Sequence, residues 1–172
     1  ETTFENHATF SGTSFEEKPI FAKAKFLKDA NFKGCHLARG GDFKSIRCDK
    51  EFHFNGLFSK GYVTFQAGDF RGRSIFTRAH FETESNFLEA RFKDYASFSD
   101  AKFTGRGTFE KIRFSKDVSF SNSTFGFTTM FKSTEFVGES NFLNVVFDGS
   151  IWFSHCKFRD NTSFKGSTFR AE

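Results

Sequence analysis

The chain has 172 residues, enough for one domain with a sizeable core. Its aromatic residues are almost all phenylalanine, 31 against one Trp and two Tyr, yet 27% of all residues are charged and the mean hydropathy is −0.47, so polar residues must dilute the Phe regularly. The net charge of +4 points to solubility rather than to a nucleic-acid partner. No apolar run approaches the roughly 18 residues of a membrane helix, and the three cysteines match no metal-binding spacing.

Stepping from Phe4 alternately by six and five residues reaches 10, 15, 21, 26, 32 and so on to Phe169. Of these 31 positions, 28 hold Phe, and only Phe52, Phe58 and Phe127 fall elsewhere. A second column stands two residues earlier: 25 of its 31 members are Ala, Ser, Thr, Gly, Cys or Val, including Ala8, Ser74, Ala90, Val118 and Ser167. The period is therefore eleven, which neither a helical repeat of 3.6 nor a strand repeat of 2 explains. It predicts a coil of five-residue sides. Each side turns one large and one small residue inward, and each corner is a turn carrying Gly, Asn or Asp. The three exceptions, Leu37, Cys48 and Ser59, coincide with the segment EFHFNGLFSKGYVTF. Here a local bulge is expected, with Phe52 entering an inward small-residue position and Phe58 and Tyr62 pointing out.

This pattern resembles the pentapeptide-repeat family, whose unit centres on Leu or Phe with Ala, Ser or Cys two residues before, and the resemblance covers the whole chain. It implies an all-β fold, a right-handed quadrilateral β-helix (β-solenoid) of about eight laps of ~22 residues, roughly 35–40 Å long at the ~4.8 Å spacing of neighbouring strands. Residues 1–172 are expected to form a single solenoid domain. Because the pattern begins and ends within a repeat, that domain is expected either alone or within a longer chain.

Residues 22 apart should stack on the outside. One column carries Lys25, Arg47, Arg91, Arg113 and Lys157, and the columns beside it add Lys28, Lys50, Arg71, Lys93, Lys116 and Arg159. The acids Glu5, Asp49, Asp69, Asp94, Glu135 and Asp160 are interspersed. This basic face is a candidate contact for an acidic partner, or only a solvated surface. On another face Glu89 should stack with Lys111 and Glu110 with Lys132. Phe127, Met130 and Trp152 occupy no inward position, and the last two are one lap apart. They predict an exposed apolar patch in the C-terminal third, either an interface or a surface covered by another segment.

Candidate chemistry is sparse. His36 and His80 share a column but lie two laps apart, and His155 has only Cys156 beside it, so no metal is expected. No nucleophile elbow, phosphate-binding glycine loop or column of clustered carboxylates appears, and neither an enzyme nor a cofactor is expected. Asn122 and Asn161 match the glycosylation acceptor pattern, which matters only for an exported protein, while inward Cys35 and Cys156 favour a reducing, cytoplasmic setting. The expected function is that of a non-catalytic structural or protein-interaction module with a protein partner, with homodimerisation through the C-terminal third as one form of it. Small molecules and nucleic acid are not expected as partners, and a membrane only through flanking segments. The alternative implied by the resemblance is a DNA mimic that binds gyrase and confers quinolone resistance, but that role needs an acidic surface.

Overall fold

The structure, a computed structural model, describes residues 1–170. It contains 30 two-residue strands, each paired only with parallel partners one lap before or after, in four sheets. The first side runs from Thr3–Phe4 to Lys157–Phe158 and the second from Ala8–Thr9 to Thr162–Ser163. The third runs from Ser14–Phe15 to Thr168–Phe169 and the fourth from Gly41–Asp42 to Ile151–Trp152. In the first lap the fourth side shrinks to one bridge, Ile20 to Asp42. Pro19 explains this: it has no N–H to donate where its equivalent Gly41 donates to the Tyr62 carbonyl at 3.0 Å.

The core is a set of Phe stacks. On the second side, Phe76, Phe98, Phe120, Phe142 and Phe164 follow one another at centroid distances of 4.8, 4.9, 5.0 and 4.7 Å, with planes within 9° of parallel. Neighbouring stacks meet edge-on, as Phe98 meets Phe109 at 5.7 Å and 86°. Both geometries match the ring quadrupole, which disfavours an eclipsed sandwich. The small residues two positions earlier, such as Ala90, Ala96 and Ala101, are fully buried beside the rings and leave them room.

The two step lengths have different physical origins. In five-residue steps the ring-bearing residue's carbonyl accepts from the amide three residues later, as Phe10 does from Thr13 at 3.0 Å and Phe98 from Ala101 at 3.1 Å. The residue before that donor is left-handed, and this recurs every eleven residues from Gly12 to Gly166 with φ between 53° and 72°. Such a residue at the third place of the turn makes it type II. Only some of these corners carry the expected Gly, Asn or Asp. Others hold Lys23, Ala67, Arg78, Glu89 and Lys111, so the ladder on either side imposes the turn on side chains that do not favour it.

The expected bulge is absent. Pairing keeps the 22-residue register straight through the exceptional lap, with Phe58 opposite both His36 and His80, and Cys48 opposite both Phe26 and Phe70. Instead, size is exchanged between neighbouring inward positions. Where Cys48 and Ser59 replace Phe, the adjoining small-residue positions hold Phe52 and Leu57, both buried. The Phe52 ring lies 5.0 Å from Phe70 and 5.9 Å from Phe32, filling volume that the stack gives up at Cys48. Conserved volume removes the need for an extra residue.

Candidate functional site

The outward columns are set by the same register. The basic column expected on the first side is present: Thr3, Lys25, Arg47, Asp69, Arg91, Arg113, Glu135 and Lys157 pair in sequence. It is a charge network more than a bare cationic stripe. The Arg47 guanidinium grips Asp49 with two hydrogen bonds, 2.7 and 3.0 Å. Arg71 bridges Asp49 and Asp69 at 3.5 and 2.8 Å, and Lys93 reaches Asp69 at 2.9 Å. Arg113 and Arg159 share Glu135, and Lys25 reaches Glu1 at 2.8 Å.

The carboxylates respond to these partners. The Arg47 hydrogen bonds hold Asp49 below the usual carboxylate range, and Arg159 followed by Arg113 does the same for Glu135. For Asp69 burial is the largest influence and acts upward, but the hydrogen bonds from Lys93 and Arg71 outweigh it and the net shift is downward. Of the two charge ladders expected elsewhere, Glu89–Lys111 closes at 3.3 Å, whereas Glu110 and Lys132 form no ion pair among the described residues.

The apolar residues lie on the fourth side and its entrance. Met130 and Trp152 are direct register partners, and the Trp side chain is 57% exposed. Phe127, 55% exposed, stands at the preceding corner. One lap on is Gly149, where a Cβ would come within 2.4 Å of the Phe127 carbonyl carbon, so the two laps are in close backbone contact. Met130 itself is half-buried, and the patch is therefore two exposed rings with a thioether on the Phe127 lap, opposite Trp152. The sequence reading missed Ile20, 76% exposed and bridged to Asp42 at the far end of the same outward column. The 22-residue spacing that links positions 20 and 152 was available in the sequence.

On the third side Phe58 stacks on His36 at a centroid separation of 5.4 Å and meets His80 edge-on at 5.1 Å. His80 Nε2 lies 3.1 Å from the Thr104 hydroxyl. On the second side a chain of hydroxyls, Thr77, Ser97, Ser99, Ser119 and Ser121, runs through successive contacts of 3.0, 3.3, 2.8 and 3.1 Å. Among the described residues no three His, Cys, Asp or Glu side chains converge on a common metal position. Burial pushes the Cys48 thiol well up and raises Cys35 and Cys156, which leaves them protonated and poorly nucleophilic.

A family model described as pentapeptide repeats (9 copies) matches residues 65–113 and 109–156, together more than half of the chain. No curated protein matches the sequence.

Proposed function

The chain belongs to the pentapeptide-repeat family, and from that premise we propose that it serves as a non-catalytic protein-interaction module, a rod whose outward faces engage a partner. The observation that carries this reading is the pair of exposed rings, Trp152 and Phe127, 57% and 55% exposed on neighbouring laps. Exposed aromatic side chains lose little entropy on binding and are enriched at the centres of interfaces. Here they stand on a backbone tied to the next lap by Phe131 N–H to the Trp152 carbonyl at 2.7 Å and Thr129 N–H to Ser150 at 2.8 Å. Such a surface is preorganised, and binding to it costs little conformational order.

The basic column contributes less to this reading. Most of its cations already hold a carboxylate, and exposed ion pairs of this kind are worth little either way. The test is a comparison of the native chain with Trp152→Glu, both checked for the same thermal midpoint. Partner capture and self-association should fall together in the variant. Unchanged oligomeric state and an unchanged set of bound proteins would contradict the proposal.

A further inference from the structure

Within the first side's charge network Arg91 lacks an ion-pair partner among the described residues. The side's two central outward columns contain the carboxylates Glu5, Asp49, Asp69 and Glu135, and the latter two are separated by the laps holding Arg91, Lys93, Arg113 and Ser115. Lys93 leans back to Asp69 and Arg113 leans forward to Glu135. Arg91 stays exposed, stands in register between Asp69 and Arg113, and forms no ion pair among the described residues.

Two of the neighbouring ion pairs close along a 24-residue diagonal: Asp69 to Lys93 at 2.9 Å and Glu135 to Arg159 at 2.8 Å. At Arg91 the same diagonal leads to Ser115, a hydroxyl where the network elsewhere has a charge. Two like charges directly opposite on a parallel ladder repel each other; Arg113 is answered by Glu135, whereas Arg91 forms no such pair. The nearest acids on the adjoining corner are already engaged with backbone amides, Asp94 with Tyr95 at 2.7 Å and Asp117 with Glu139 at 3.0 Å.

We propose that Arg91, Arg113, Lys93 and Ser115 form a site for a single phosphate group, a phosphate monoester on a protein partner. The oxyanion site stands by itself, while the protein carrier rests on the interaction-module reading. A dianion with several acceptor oxygens matches a planar guanidinium fork, an ammonium and a hydroxyl donor, and it would give Arg91 the counter-charge it lacks. The site admits an isolated phosphate and not a polyanion. Asp69 on one flank and Glu135 on the other would repel the neighbouring phosphates of a nucleic-acid backbone, which needs an uninterrupted row of cations.

The experiment is calorimetric titration of the whole chain with a phosphoserine peptide, the same peptide unphosphorylated, inorganic phosphate and duplex DNA. The phosphopeptide should bind at 1:1 stoichiometry and compete with inorganic phosphate, and the unphosphorylated peptide and DNA should not bind saturably. Arg91→Gln should weaken phosphopeptide binding by about tenfold or more, the loss of one charge-assisted bidentate contact. Its thermal midpoint without ligand should not fall, since Arg91 holds no carboxylate, and phosphate should raise the midpoint of the native chain more than that of the variant. Phosphate binding without phosphopeptide binding would overturn the protein carrier. Absence of any saturable phosphate binding, equal affinity in Arg91→Gln, or tightest binding to DNA would overturn the site itself. None of these results depends on Trp152, so failure here is separable from failure of the patch.

Discussion

At the scale of single residues, stability resides in the rings. Phe98 is fully buried and lies between Phe76 and Phe120 in its stack, with Phe87 and Phe109 edge-on. Phe98→Ala should cost ~3–5 kcal/mol in chemical denaturation, the usual range for emptying a packed aromatic site. Phe127→Ser, on an exposed ring, should shift the midpoint far less. A gain is expected at Ser140, whose buried hydroxyl has no hydrogen-bond partner. Ser140→Ala keeps the small volume, removes an uncompensated polar group, and should stabilise by about 1 kcal/mol. The identity of the inward residues was legible in the sequence because ring and small residue alternate with a fixed period. The left-handed corner was not, since Lys23, Arg78 and Glu89 carry no local preference for it. A β-branched residue at such a corner, for example Glu89→Val, should cost about 1–2 kcal/mol.

At the scale of one lap, the departure from the Phe pattern at Leu37, Cys48 and Ser59 has a packing explanation. The sequence suggested an irregular backbone because three phenylalanines were missing from their positions, two of them replaced by the small residues Cys48 and Ser59. The missing volume had moved one inward position along, to Phe52 and Leu57, and a one-dimensional pattern does not reveal that two adjacent columns share a cavity. The exchange makes a specific prediction. Cys48→Phe in the native background should be destabilising by ~1–3 kcal/mol through overpacking against Phe52. Phe52→Ala alone should cost ~3–5 kcal/mol. The double variant should recover part of that loss, giving a non-additive cycle. Strict additivity, measured by urea denaturation of all four proteins, would mean that the two side chains do not share the space.

At the scale of the whole molecule, the four sides carry different chemistry on one frame. The first side's ion pairs set the acid limb of stability. Asp49 and Asp69 have folded-state pKa values below their unfolded ones, so their contribution is complete above about pH 4 and disappears as pH falls through the lowered values. Thermal midpoints should be flat from neutrality down to about pH 4 and fall below it, and Asp49→Asn should make that fall shallower. The same interleaving of carboxylates and cations is the reason to expect no effect on gyrase supercoiling, with or without a quinolone. Inhibition or drug protection at micromolar protein would favour the DNA-mimic alternative. Fold and lap length could be read from the sequence because they rest on a repeated core. The candidate sites could be read only as columns, since which cations are already neutralised depends on the diagonal reach of individual side chains.

The most direct measurement uses Trp152 as its own reporter, because it is the only tryptophan in the chain. Its emission should be recorded for the free protein and for the complex with any captured partner, or across a concentration series if the chain associates with itself. The account predicts solvent-exposed emission and efficient acrylamide quenching in the free protein, then a blue shift and protection when the partner is bound. Emission and quenching that stay the same on complex formation would contradict the claim that this face is the interface.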